Sequence, residues 1–406
     1  MKRMYFLTVF AVMALAGCVK NEVQSIDDQK DGVKIAFESP FLYDNMTKGE
    51  VHGEISTTLY PQEEKFIIFA SQHDGDFAGW PSNKVSTPNS TENGICDFHG
   101  TEIEYDSSFD AWIPTYDDNG STGYYYWPMG KKLSFAAMSP SDLHNSAVVT
   151  YDNTGLKIDG FENPDAGEQF DLLFARRTMN HTASDMTNHA GEYSGIPISF
   201  QHALSSIHFS IDKETLEQEV FLKKIQLTNV KYLGDFAENI DESKGLEYII
   251  DQDADNTVNP VWTVEDPMTD YVPFDAKSYG SIPFPVNPQY VSSIVNNLET
   301  DGEDLQDLFS SSLLIVPQEI DDNATLIIDY EISGVSQQKV YPLKGLATIT
   351  EGGIPSGKTG TVVSWDRGHK YTYRIHYSSA SEMKDIIYFS PSVEGWTDVQ
   401  VIQITL

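Results

Sequence analysis

The chain has 406 residues, with 61 acidic against 26 basic side chains and a formal net charge of -35. A hydrophobic fraction of 40%, with 12% aromatics, is enough to fill apolar cores, which excludes wholesale disorder in spite of the charge. So negative a chain repels phosphate backbones, so nucleic acid is excluded as a partner.

The first residues carry an export signal. Met1-Lys2-Arg3 gives a positive start, Tyr5 to Leu15 an apolar run, and Leu15-Ala16-Gly17-Cys18 a small-residue ending. The run is shorter than the ~20 residues a membrane-spanning helix needs, so residues 1–17 read as a removable signal peptide. The ending resembles the lipobox of bacterial lipoproteins, which makes Cys18 the expected lipidation site and acyl chains the expected outer-membrane anchor. With that thiol consumed only Cys96 remains, so no intramolecular disulfide is expected.

Residues 18–32, polar and charged, read as a tether. Short apolar-alternating runs then follow one another, separated by Gly, Pro, Asn and Asp. In chain order they fall at residues 65–70, 132–137, 196–200, 224–230, 313–316, 325–330, 371–375 and 399–406. Strands at this spacing with turn residues between them predict an all-β chain of sandwiches. Helical pattern is scarce: residues 212–223 open on a capping Asp212, and residues 289–300 follow Pro288, so both predict short connecting helices. The polar stretch 178–195 lacks strand pattern and separates two strand-rich halves, placing domains at 33–190 and 191–406.

Chemistry-bearing motifs are missing. The sequence has no phosphate loop, G-x-S-x-G elbow, H-E-x-x-H or C-x-x-C, and Cys96 beside Asp97 reads as a small buried hydrophobe. Asp251, Asp253 and Asp255 have calcium-loop spacing. However, Asn256 replaces the turn glycine and Trp262 the bidentate Glu, so a solvated acidic loop is expected. His181, Asp185 and His189 match no rigid ligand spacing, and His202 and His208 share a face only if their strand is continuous. The expectation is no cofactor, no metal and no enzyme activity. Trp80, Trp112, Trp127 and Tyr124-Tyr125-Tyr126 leave open an alternative, a monomeric surface lipoprotein that stacks glycans on exposed aromatics, although core packing is the commoner fate of strand aromatics.

Several strand signatures, in order, resemble the fimbrillin family, the type V pilins and fimbrial subunit lipoproteins of Bacteroidetes. They are Tyr126-Trp127-Pro128 with Leu133-Ser134-Phe135-Ala136 and Ser139-Pro140, then Asp171 to Ala175 and Ile198 to Ser205. Ile225 to Val230, Leu314 to Gln318, Trp365-x-x-Gly368-x-x-Tyr371-x-Tyr373-x-Ile375 and Val393-Glu394-Gly395-Trp396 complete the series. The resemblance implies two transthyretin-like β-sandwich domains and export as a lipoprotein to the outer membrane. It further implies assembly with other fimbrial subunits into surface fimbriae that contribute to adhesion to a host or bacterial receptor. In such assembly a protease removes the first strand, and a neighbour's extended segment fills the vacated groove.

The residues fit that scheme. Val33, Ile35 and Phe37 alternate with Lys34 and Ala36, as a removable half-buried strand should. Lys48-Gly49 is the expected cleavage point in the polar stretch that follows. The family commonly cuts after arginine, but no Arg lies between Arg3 and Arg176. Either a protease of other specificity acts here or the chain stays uncut as an anchor. At the far end Val399 and Val401 share one face while Ile402, Ile404 and Leu406 share the other, a phase slip that marks a bulge or two-sided burial. Two fates stay open for this strand: donation to a neighbour, or packing into its own domain.

Overall fold

A computed structural model describes residues 35–37, 40–42, 60–75, 88, 99–108, 111–114, 127–128, 130–183, 195–196, 198–214, 219–240, 261–291, 312–347, 361–378, 392–395 and 402–405. The predicted all-β class is what these residues show. Helical structure among them is confined to a 3-10 turn at Leu143–Asn145, a single turn at Ala276–Tyr279, and the single residues Ala183 and Val291.

In chain order the first half holds β1 (Phe41–Leu42), β2 (Phe66–His73), β3 (His99–Asp106) and β4 (Ala111–Pro114). After them come β5 (Lys132–Ser139), β6 (Val148–Asp152), β7 (Gly155–Glu162), β8 (Leu173–His181) and β9 (Ser199–His202). A seven-stranded sheet runs β1-β9-β8-β5-β2-β3-β4. Its central strands are apolar on both faces because each face has its own core. Phe66, Ile68 and Ala70 of β2 enter one core with Phe135 and Phe200. Ile67 and Phe69 enter the other with Phe174, Tyr151 and Ile158. The run Phe66 to Ala70 is therefore continuous instead of alternating, as a strand covered on both sides requires.

The second half holds β10 (Ser205–Lys213), β11 (Val220–Lys231), β12 (Leu233–Ala237), β13 (Val261–Val264) and β14 (Met268–Asp275). Short strands β15 (Ile282–Pro283), β16 (Gln289–Tyr290), β17 (Leu313–Ile315) and β18 (Gln318–Glu319) precede the hairpin β19 (Thr325–Ile332) and β20 (Val335–Pro342). The series ends with β21 (Leu346–Ala347), β22 (Thr361–Val362), β23 (Ser364–Trp365), β24 (His369–Tyr377), β25 (Ser392–Gly395) and β26 (Ile402–Thr405). Sheet β14-β11-β19-β20 faces sheet β16-β10-β24-β25. Ile207, Phe209 and Ile211 of β10 meet Ile225, Leu227, Ile328 and Trp365 in the core between them.

At its two described ends, the segment 212–223 expected as a helix is strand instead. Asp212 and Lys213 close β10, and Val220 to Lys223 open β11. Strand pairing with β24 and β19 overrides the local helical preference of this segment. His202 and His208 lie on different strands, with the break at Ala203-Leu204 between them.

Strand pairing crosses the polar stretch 178–195. β7 pairs with β12, and the sheet β13-β12-β7-β6 covers the second face of the seven-stranded sheet. Side-chain amides reinforce the crossing. Gln169 acts as a surrogate strand for Leu314: its Nε2 donates to the carbonyl at 2.8 Å and its Oε1 accepts the N–H at 2.7 Å. Asn163 donates to the same carbonyl and to the Tyr271 hydroxyl, both at 2.8 Å. The Trp262 indole donates to Ala203 O at 2.7 Å. Gln169→Leu strands the buried Leu314 N–H, so a loss of about 2 kcal/mol is expected in urea denaturation, with the fold retained.

Candidate functional site

The candidate site is the segment on which the first sheet closes. Ile35, Ala36 and Phe37 are all buried, Phe37 to 1% exposure. The Phe37 N–H donates to Trp112 O at 2.9 Å, and Trp112 N–H donates back to Phe37 O at 3.3 Å, an antiparallel pair with β4. On the other side Ile196 N–H donates to Ala36 O at 2.9 Å, and the chain runs on as β1, parallel to β9 through Phe41↔Ser199 and Leu42↔Phe200. Residues 35–42 thus bridge the two ends of the β1-to-β4 sheet order. The sheet becomes a closed ring at Phe37, and a closed ring has no open edge there.

Phe37 enters an aromatic box. Its ring meets Phe135 edge-on at 5.6 Å and Phe66 at 6.3 Å. Tyr60 adds contacts to Phe66, Trp112 and Phe200 at 5.6, 5.3 and 5.2 Å. The Tyr60 hydroxyl reaches Ser139 Oγ at 2.7 Å and donates to Lys65 O at 2.9 Å, which fixes the box from below. Burial pushes the Tyr60 phenol far above its ordinary range, so it stays neutral. Trp112 is fully buried and Trp127 nearly so, both in this core, which removes them from any glycan-stacking platform. Trp80 and Tyr124 to Tyr126 lie outside the described residues.

The other predicted strand is at the far end of the second sandwich. β26 pairs parallel with β24, Ile402 opposite Tyr373 and Ile404 opposite Ile375. β25 occupies the first half of the same edge, antiparallel, from His369↔Gly395 to Thr372↔Ser392. The segments 35–42 and 402–405 therefore belong to different sandwiches. Cys18, Val33, Lys48, Gly49, Val399, Val401 and Leu406 lie outside the described residues, as do Cys96, Asp185, His189 and the acidic run at 251–255.

One feature beside β26 carried no sequence signal. Asp212 of β10 takes a two-pronged bond from Arg374 of β24, Nε at 2.9 Å and Nη2 at 2.6 Å, and a third from His376 Nδ1 at 2.8 Å. Burial alone would raise the Asp212 carboxyl. The bonds and charges of His376 and Arg374 outweigh it and hold the group below the usual carboxylate range. This ion cluster clamps the β24 backbone along the residues that β26 pairs with. It was invisible in the sequence because Asp212 lies more than 160 residues from Arg374 and His376. His202 likewise pairs with Asp171 at 2.8 Å in a buried contact between β9 and the start of β8.

Among the described residues no group of three His, Cys, Asp or Glu side chains can hold a metal, and no helix is long and apolar enough to cross a membrane. The described arrangement is one of strand pairing.

No curated protein matches the chain. Among solved structures, a candidate cell adhesion protein from Bacteroides uniformis is 13% identical with a TM-score of 0.43, over 90% of this chain and 99% of that one. A fimbrial assembly protein from Parabacteroides distasonis is 11% identical, TM-score 0.31, over 84% and 90%. The tip fimbrial protein Mfa3 from Porphyromonas gingivalis, with a C-terminal truncation, is 10% identical, TM-score 0.26, over 76% and 94%. The model of the fimbrillin-like family matches residues 85–396, more than three quarters of the sequence; the chain belongs to the fimbrillin-like family.

Proposed function

We propose that this protein is a structural subunit of cell-surface fimbriae, exported as a lipoprotein on Cys18 and assembled by donor-strand exchange. The observation that supports the reading is the closure of the first sheet by residues 35–42. A buried strand near the chain start bonds its neighbours on both sides and leaves an apolar groove when withdrawn. Cleavage at Lys48-Gly49 would release it. Family membership supports partners that are other fimbrial subunits, a surface location and a non-enzymatic role.

Magnitudes favour replacement. Ile35 and Phe37 bury at ~1.5–3 kcal/mol each, roughly 3–6 kcal/mol for the resident pair. Ile402, Ile404 and Leu406 from another copy share one face and would bury three such side chains, roughly 5–9 kcal/mol gross, less what the strand gives up on leaving β24. Ladder hydrogen bonds add ~0.5–1.5 kcal/mol apiece. The incoming segment wins once the resident strand has been cut from the chain, because a severed strand gains the entropy of leaving.

Deleting Val399–Leu406 is the test. Fimbriae recovered from cells should disappear while the truncated chain keeps its far-ultraviolet circular dichroism and cooperative unfolding. N-terminal sequencing of the recovered protein should begin at Gly49, or at Cys18 if the chain serves as an anchor. Normal fimbriae from the truncated chain would refute strand donation by this segment.

A further inference from the structure

The sheet edges of this molecule differ in how they are protected. Among the described residues, edge strand β13 is four residues long, β16 is two, and β6 is five and ends on Asp152. β14 is longer, but its register against β11 shifts twice, and it carries Asp270 and Asp275. Short length, bulges and charge are the usual means by which proteins keep sheet edges from pairing. β20 has little of this. It pairs with β19 through eight residues without a register shift, and among the described residues no strand lies on its other side: Val335 is 58% and Val340 52% exposed, with Ser336, Gln337 and Gln338 open between them, and a proline, Pro342, stands only at its end. In a chain with 61 acidic residues, the eight residues of β20 contain none and a single charge, Lys339.

The hairpin geometry fixes which groups are available. Ser333 and Gly334 both have positive φ, 49° and 83°, the tight two-residue turn that closes on Ile332↔Val335. Counting from that pair, Ser336, Gln338 and Val340 turn their backbone N–H and C=O groups away from β19. Two copies related by a two-fold axis can join these groups in one antiparallel register, centred on Gln338. Val340 then faces Ser336 of the second copy, and Lys339 faces its Gln337. No acid and no like charge stands in a directly facing position, which the rest of this acidic surface makes uncommon. Gln338 already donates to Asp329 Oδ1 at 2.7 Å, so its amide is held in place on the outer face at the centre of the register.

We propose that β20 is a lateral pairing edge, through which two copies of this chain join their second sandwiches into one continuous sheet. The contact is separate from strand donation. It uses no residue of the 35–42 groove or of the terminal strand, and it would set subunits or filaments side by side, not end to end.

The test compares the wild type with Gln338→Glu and Gln338→Ser, by sedimentation equilibrium and by hydrogen exchange at several protein concentrations. Wild type and Gln338→Ser should associate reversibly, with amide protection of residues 335–342 rising as the dimer forms. Gln338→Glu places two carboxylates opposite each other and should weaken association about tenfold near neutral pH. Lowering the pH through the carboxylate range should restore it in this variant alone. A wild type that stays monomeric at every concentration overturns the proposal, as does association without protection at 335–342. Equal association of Gln338→Glu overturns it too. Longer assemblies that leave exchange at 335–342 unchanged would belong to strand donation and would count against lateral pairing.

Discussion

Phe37→Ala is expected to cost about 3–5 kcal/mol of folding stability, read from urea denaturation of the uncut chain. The alanine keeps the N–H and C=O that bond Trp112, so the ring is what is lost. Its edge contacts with Phe66 and Phe135 vanish, and the cavity lies between side chains that Tyr60, Trp112 and Phe200 hold rigidly in place. A box braced on every side relaxes poorly, which places the cost at the upper end of the range for large-to-small changes. The same variant should exchange the amides of residues 35–42 faster, because the strand then holds to β4 and to Ile196 by backbone bonds with fewer apolar contacts. A loss below about 1 kcal/mol would mean that the ring of strands is closed by something other than this segment.

That the segment matters was legible in the sequence; its partners were not. Val33, Ile35 and Phe37 alternate within a polar surround, which is a local signal. Trp112 and Ile196 lie far along the chain, and no periodicity reports which distant strands a short apolar run will join. The central strands were legible as strands but not in their burial: the run Phe66 to Ala70 reads as alternating only if one face is solvated, and it is apolar at every position because both faces are covered. The described ends of 212–223 show the opposite error. Their charged composition and capping aspartate point to a helix, yet Asp212 is consumed by Arg374 and His376, and the backbone is drawn into a ladder with β24. Local propensity is worth a few tenths of a kcal/mol per residue, and a buried ion cluster with strand pairing on both sides outweighs it.

Glu238 gives the second large effect. It follows β12 and lies wholly buried against the turn into β7, where its Oε2 accepts the Leu156 N–H at 2.5 Å and its own N–H donates to Leu156 O at 3.0 Å. Gly155 makes room for it. At φ +99° this residue has a backbone that side chains rarely adopt, and a Cβ there would stand 2.5 Å from the Glu238 carboxylate oxygen. Burial raises the Glu238 pKa from 4.5 to about 7, against the bond from Leu156 and the attraction of Arg177 and Arg367, which favour the charged form. A folded value above the unfolded one means that the stabilisation is whole below about pH 4.5 and fades as pH rises through about 7. The full span is worth about 3 kcal/mol, a large share of a domain's net stability. Glu238→Gln keeps an acceptor for Leu156 and removes the ionisation. It should match the wild type near pH 4 and exceed it by about 3 kcal/mol near pH 9, as urea midpoints taken across that range would read. Parallel pH profiles for the two proteins would mean that Arg177 and Arg367 stabilise the buried carboxylate fully, making it an ion pair across the join between the halves and not a neutral acid.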